Sequence, residues 1–161
     1  MNDSDALIAP GEARPARVLV LGCGSIGQAV VPLLIRDVRM APNQIRIVEM
    51  VDNRHRVADS ITAGVTYEQT AVTRENLDEF LGARVSTGDI LLDLAWNIDA
   101  ATIIDWCREH GVRYLNTSVE AWDPYEDVEN QPPLTRTLYH RHMGLRAMMK
   151  RWGRNDGASA I

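Results

Sequence analysis

The sequence predicts an α/β fold in which helices cover both faces of a doubly wound parallel sheet, giving three layers. Short apolar segments alternate with amphipathic ones along most of the chain, which is the pattern of right-handed βαβ units. The first apolar segment, Val18 to Leu21, breaks at three glycines spaced Gly-x-Gly-x-x-Gly, and an amphipathic segment follows. A strand, a glycine turn and a helix in this order are typical of a Rossmann-like domain.

Periodicity and turn residues place the other elements in order. The first helix contains Pro32, where we expect a kink or an early end because proline removes one helical hydrogen bond. Gly64 and Gly111 stand where glycine ends helices, and Thr73 with Asn76 forms an imperfect capping box. The predicted strands are 18–21, 45–51, 65–70, 89–94 and 112–116. The first predicted helix follows the glycines and ends near 37, and a third helix opens at 73–77. The other predicted helices are 54–63, 99–110 and 135–152.

The length of 161 residues matches one ordinary domain. Residues 1–16 lack the apolar region of a secretory signal, and we expect them to be a disordered tail. Residues 17–152 are expected to form the nucleotide-binding domain, and 153–161 a linker or the start of a further strand. Enzymes of this fold usually carry a second domain for the substrate. We therefore expect an incomplete sheet, the nucleotide half of something larger.

Composition and residue spacing restrict the function classes. The net charge of −5 argues against a nucleic-acid partner, and no segment approaches the roughly 18 apolar residues of a membrane span. Cys23 and Cys107 lie far apart in sequence, which favours reduced thiols and a cytoplasmic protein. His140 and His142 point to different faces of a predicted helix, so we expect no metal site.

The three glycines predict a site for the diphosphate of a dinucleotide. Gly22 lets the chain turn sharply off the strand, and Gly24 removes the side chain that would keep a pyrophosphate away from the backbone. Gly27 lets the helix pack closely against the sheet. The N–H groups near Ser25 and Ile26 lack intrahelical partners and carry partial positive charge, so they favour an anion.

An acid at the end of the second strand is expected to bind the adenosine ribose and to favour NAD over NADP. Glu49 fills this role if the strand ends at Val48, and Asp52 fills it if the strand runs through Val51. Asp52 is slightly preferred, because the residues after it resemble a turn into the next helix. A plain helix N-cap is the alternative for Asp52, and Arg54 could instead accept a 2′-phosphate.

Two polar clusters follow the fourth and fifth strands, where the nicotinamide half of the cofactor is expected. Asn97 could bond the ribose or the carboxamide and Trp96 could pack on the ring, or they are a helix cap and a packing aromatic. Thr117 and Glu120 follow the fifth strand, and their convergence on this end of the sheet favours a functional role.

Three segments, 22–28, 71–76 and 114–122, resemble the homospermidine synthase family, in the saccharopine dehydrogenase-like group. The resemblance runs from about Arg17 to Trp152. It implies an enzyme of polyamine biosynthesis that holds NAD, takes hydride from putrescine, releases ammonia, condenses the resulting electrophile with a second amine and returns the hydride, giving homospermidine. It also implies catalytic positions for Glu120, which would hold the cationic amine, and for Trp122 beside it. A desolvated ammonium needs such a carboxylate or aromatic face.

The sequence departs from this family in two respects. The segment 96–99 differs from the Asn/Ser-rich turn of the family. Members continue into a substrate and dimerisation domain, so we expect putrescine binding and a homodimer only in a longer protein, and no turnover by these 161 residues. The alternatives are another NAD(P) oxidoreductase of the same group, acting on a secondary amine, and a stand-alone nucleotide-binding module without catalysis.

Overall fold

The computed structural model describes residues 16–126 and 128–152. The expected tail, apart from its last residue, and the expected linker at 153–161 lie outside the described residues. Within them, the strands are β1 (Val18–Leu21), β2 (Ile45–Glu49), β3 (Thr66–Gln69), β4 (Ile90–Asp93) and β5 (Arg113–Asn116), and the α-helices are α1 (Ser25–Arg36), α2 (Ala58–Thr62), α3 (Leu77–Gly82), α4 (Ala100–Glu109) and α5 (Leu138–Trp152).

The strands form one parallel sheet in the order β3-β2-β1-β4-β5. The register pairs Leu21 with Val48 on one side and with Asp93 on the other, and Asp93 with Asn116. Strands β2 and β3 extend the sheet to one side of β1, and β4 and β5 extend it to the other, so the strand order reverses between β1 and β4. In doubly wound sheets, ligands bind at this switch point, beyond the carboxyl ends of the strands.

Helices cover both faces of the sheet, which confirms the predicted doubly wound, three-layer fold. Alternate residues of β1 enter different cores, because successive side chains of a strand point to opposite faces. Leu19 and Leu21 pack with residues of α3 and α4, whereas Val18 and Val20 pack with Val31 of α1. Helix α5 has no buried residue, and it covers only part of the core on the α3 and α4 face of the sheet. The residues of α5 that pack against this core are Leu145, Met148 and Trp152.

Strand β2 ends at Glu49, two residues before the predicted end at Val51. One oxygen of the Glu49 side chain explains this, because Oε1 accepts hydrogen bonds from the N–H groups of Met50 at 2.8 Å and Val51 at 3.4 Å. These bonds turn the chain out of the sheet. The predicted helix 54–63 is a 3₁₀ turn, Arg54–Val57, followed by the short α2.

Two helices begin later than predicted, and a third lacks the early end expected at its proline. Helix α1 runs through Pro32 to Arg36 without an early end, with the proline on its exposed side. Helix α3 begins at Leu77, because Thr73 and Asn76 form a turn before it in which each side chain accepts the other's N–H. A 3₁₀ turn, Pro133–Arg136, precedes α5.

No helix in the described part of the chain is long and apolar enough to cross a membrane. Cys23 and Cys107 are both buried free thiols.

Candidate nucleotide-binding site

Close backbone contacts require glycine at two positions of the turn between β1 and α1. Gly22 has a φ of +94°, and a Cβ placed on it would lie 2.7 Å from the carbonyl oxygen of Leu94. A Cβ on Gly27 would lie 2.4 Å from the carbonyl oxygen of Gly22. The turn, the first helix and the end of β4 are thus packed against one another through their backbones.

Gly24 has the opposite surroundings. A Cβ on this residue would have no heavy atom within 4 Å, and Gly24, Ser25 and Ile26 are all exposed. Gly24 is also the N-cap of α1, it makes no side-chain cap, and the first turn contains no acidic residue. The first N–H groups of the helix are therefore open to an anion from solvent, and only hydrogen occupies the approach at Gly24.

Glu49 lies against this turn. Its Oε2 accepts a hydrogen bond of 2.7 Å from the N–H of Cys23, while the N–H of Gly22 donates to the carbonyl oxygen of Val48 at 2.8 Å. The carboxylate is therefore held at the carboxyl end of β2, next to the glycines. An ionised carboxylate has about four acceptor positions, so some remain for a ligand hydroxyl.

Asp52 lies farther along the loop. Its side chain is more than half exposed, and Oδ1 accepts from the backbone N–H of Arg54 at 3.1 Å and lies 3.2 Å from Nε of the same residue. Asp52 therefore closes a short turn, but it is not the N-cap offered as its alternative role, because Asn53 is the N-cap of the 3₁₀ turn that follows. Strand β2 ends at Glu49, between the ends at Val48 and Val51 that would assign the acid, so Glu49 rather than Asp52 stands at the carboxyl end of the strand.

The turn after β4 does not use Asn97 and Trp96 as a cap and a packing aromatic. Asp99 caps α4, accepting from the N–H of Thr102 at 2.8 Å. The Trp96 side chain is 75% exposed. Asn97 has a φ of +58°, and its Oδ1 is buried without a hydrogen-bond partner among the described residues. A buried acceptor of this kind usually has a partner, so an incoming donor would satisfy it.

Asn97 opens into a wide cleft of about 500 Å³ at the carboxyl side of the sheet. Trp122 lines the same cleft, together with residues 72–75 of the loop before α3. Two of the three segments that carry the family resemblance therefore meet here.

Glu120 lines a separate hollow of about 180 Å³ with Arg141, Leu145 and Met148. The structure therefore does not bring Glu120 and Trp122 together in one cavity, although they are two residues apart. Thr117 is exposed in the bend that follows β5.

Asp93 is a polar group that the sequence reasoning treated only as part of a strand. Its side chain is 5% exposed, Oδ2 accepts from the hydroxyl of Tyr114 at 2.7 Å, and Oδ1 accepts from the N–H of Ala95 at 3.1 Å. Burial raises the pKa of this carboxyl to about 6, although both hydrogen bonds oppose the shift. The signal in the sequence was an acid that ends an apolar strand, at the carboxyl edge where ligands bind.

Similarity to known proteins agrees with this geometry. Residues 18–161 match the saccharopine dehydrogenase NADP binding domain. The homospermidine synthase of Blastochloris viridis is 29% identical over 125 residues, which are 76% of this chain and 26% of that protein. The homospermidine synthase of Mesorhizobium japonicum is 27% identical over 108 residues, 65% of this chain and 22% of that protein.

Among solved structures, the homospermidine synthase of Legionella pneumophila in complex with NAD superposes with a TM-score of 0.63 at 27% identity, covering 73% of this chain and 26% of that one. The chain thus spans about a quarter of the length of these relatives. By its fold, its glycine turn and its match over 18–161, the chain belongs to the saccharopine dehydrogenase NADP-binding domain family.

Proposed function

We propose that this domain binds NAD, and that it serves a protein of homospermidine synthase type, which converts two putrescine molecules to homospermidine and ammonia. The observation that carries the proposal is the open backbone at Gly24, with Glu49 held beside it. Because the chain spans only about a quarter of its relatives, the reaction is proposed for a protein that also contains the rest of their length. For that longer protein we propose, on the resemblance alone, a cytoplasmic homodimer.

In this proposal, the diphosphate lies on the first turn of α1. The N–H groups of Ser25 and Ile26 donate to it, and Gly24 permits its approach because no side chain projects there. Gly22 and Gly27 act indirectly, since they allow the turn, the helix and β4 to pack closely enough to form the site.

Glu49 is proposed to accept the hydroxyls of the adenosine ribose. Its negative charge would repel a 2′-phosphate, so NAD is the proposed cofactor even though the domain family is described as NADP-binding. Asp52 remains the alternative, but its carboxylate already interacts with Arg54. That interaction also engages the guanidinium that a 2′-phosphate would need.

At the other end of the cofactor, Asn97 is proposed to accept from the carboxamide or the nicotinamide ribose. Its buried, unpartnered Oδ1 supports this role. The exposed indole of Trp96 is available to the ring, and Thr117 offers a hydroxyl beyond β5.

The bound nicotinamide would supply a hydride acceptor and donor, so that the amine is oxidised and its condensation product later reduced with no net oxidation. Glu120 is proposed to attract the ammonium group of the substrate, and Trp122 to contact a cationic group through its ring. Because the two residues line separate hollows, they are assigned these separate roles rather than one shared contact.

One observation favours a second candidate, an oxidoreductase of the same group that acts on an amino acid. Arg141 lines the hollow that contains Glu120, so this hollow offers a guanidinium for a carboxylate as well as a carboxylate for an ammonium. Titration with putrescine and with 4-aminobutyrate distinguishes the candidates. Preference for the diamine supports the first, and preference for the amino acid supports the second.

Calorimetric titration of NAD into the wild-type chain and two leucine variants tests the cofactor proposal. Gly24→Leu places a side chain where the diphosphate would lie and should abolish binding without unfolding the domain. Gly82→Leu is the matched control, because a Cβ there also meets no atom within 4 Å, at the far end of α3. Equal affinity for all three proteins would overturn the proposed diphosphate site.

A further inference from the structure

Among the residues that the structure describes, the buried carboxylate of Asp93 has no cationic partner. Its hydrogen-bond donors are both neutral, the hydroxyl of Tyr114 and the N–H of Ala95. Within residues 16–126 and 128–152, no side-chain nitrogen of Lys, Arg or His lies within 4.0 Å of it. Ionisation therefore leaves a negative charge in a poorly solvated position without local compensation.

The titratable groups that interact with Asp93 do not offset its negative charge with a positive one. Tyr114 on β5 and Cys107 on α4 both interact with Asp93, and burial raises the pKa of each, in the case of Cys107 to about 12. Glu120, in the segment after β5, is a second carboxylate, and its charge raises the pKa of Asp93 further. The described groups that interact with Asp93 are thus neutral or negative, and with a pKa of about 6 Asp93 is mostly ionised above neutral pH.

Asp93 lies on the side of the sheet where the nicotinamide end of the proposed cofactor is expected. Asp93 ends β4, and it braces the N–H of Ala95, which is part of the peptide that packs against Gly22. Glu49, the proposed ribose acid, lies on the opposite side of the same turn, at the end of β2. A dinucleotide that crosses the switch point with its adenosine at β2 has its nicotinamide on the β4 side.

We propose that the Asp93 carboxylate is a specificity-determining group that makes this domain bind the cationic, oxidised nicotinamide dinucleotide more tightly than the neutral, reduced form. The inference rests on the proposed binding of NAD. The Asp93 carboxylate is buried, so little water screens its charge. The nicotinamide ring is positive when oxidised and neutral when reduced, so the carboxylate attracts the oxidised ring more strongly.

The quantity that tests this is the ratio of the dissociation constant of NADH to that of NAD. In Asp93→Asn the amide oxygen still accepts from Ala95 and the Tyr114 hydroxyl keeps a polar partner, but the charge is lost. We expect the ratio at pH 8 to fall about threefold or more in Asp93→Asn. In the wild type we expect the ratio to fall as the pH is lowered from 8 to 5.5, because Asp93 becomes protonated. In Asp93→Asn we expect the ratio to change little over the same pH range. Asp105→Asn, a half-exposed carboxylate of α4 paired with Arg108, is the control and should behave as the wild type.

Tyr114→Phe provides a second test that keeps the aspartate. It removes a hydrogen bond that lowers the pKa of Asp93, so the pH at which the ratio changes should move upward. Ratios that agree within twofold for wild type and Asp93→Asn at pH 8, with both proteins binding NAD, would overturn the inference. Failure of the wild type to bind either nucleotide would instead overturn the proposed function.

Discussion

Oε2 of Glu49 accepts a 2.7 Å hydrogen bond from the backbone N–H of Cys23, and this bond joins the acid at the end of β2 to the middle of the glycine turn. Oε1 of the same carboxylate accepts from Met50 and Val51. One side chain thus braces the proposed diphosphate turn, ends the strand, and stands where the adenosine ribose is expected. The two halves of the proposed adenosine site are therefore coupled through a single residue.

Glu49→Gln is expected to weaken NAD binding and to reduce the preference for NAD over NADP. The amide retains one acceptor for Cys23 but loses the charge that repels a 2′-phosphate. Titration of both nucleotides into Glu49→Gln and Asp52→Asn measures the effect. A preference that falls in Asp52→Asn but persists in Glu49→Gln would assign the ribose to Asp52 instead.

Gly27→Ala is expected to destabilise the domain by about 1–3 kcal/mol, because the added Cβ would lie 2.4 Å from a backbone oxygen that is fixed by the turn. Gly24→Ala, three residues earlier in the same motif, has open space and should leave stability nearly unchanged. Urea unfolding of the two variants measures the difference. Equal stability would show that helix and turn are not in close contact.

Asp93→Asn is expected to stabilise the folded chain at pH 8. Between its ordinary pKa of 3.8 and its folded value of about 6, the folded state binds more protons than the unfolded state, so ionisation of Asp93 lowers the free energy of unfolding as the pH rises through this window. At a pH above this window, removing the carboxylate should raise the free energy of unfolding by up to about 3 kcal/mol. Thermal unfolding should show the gain at pH 8 and little of it at pH 4. A variant that is less stable than the wild type at pH 8 would contradict this prediction.

Asn97→Gly is expected to increase stability and weaken NAD binding in the same protein. Glycine adopts a φ of +58° without the steric penalty of a side chain, which is worth about 1 kcal/mol, while the proposed contact through Oδ1 is lost. Arg39→Gly is the control, because Arg39 has a φ of +59° and lies outside the proposed site. It should gain stability with unchanged affinity. Unaltered NAD binding by Asn97→Gly would remove Asn97 from the site.

The succession of strands and helices along the chain and the place of the glycine turn were predictable from the sequence, because each depends on local pattern. An apolar run such as Val18 to Leu21 fits a strand buried on both faces, and Gly22 and Gly27 meet steric demands that a residue with a side chain would violate. The cap of α4 was not predicted, because Asp99 fills it through its bond to Thr102 whereas Asn97 was the residue offered as a cap.

Features that depend on contacts between distant residues were not predictable. The end of β2 is set by where the Glu49 side chain finds its donors, which a count of β-branched residues does not show. Glu120 and Trp122 are two residues apart in the motif but line different hollows, since α5 packs beside one of them. The proposed role of Asp93 rests on its hydrogen bond with Tyr114, a contact between neighbouring strands that the sequence does not show.

The central claim, that the bare backbone between β1 and α1 binds the diphosphate of NAD, is tested most directly by the backbone amide resonances of this chain during a titration with NAD. We predict saturable shifts at Gly24, Ser25 and Ile26, with no shift at Gly82 at the opposite end of the sheet. Saturable shifts confined to other parts of the chain, or none at millimolar NAD, would contradict the account.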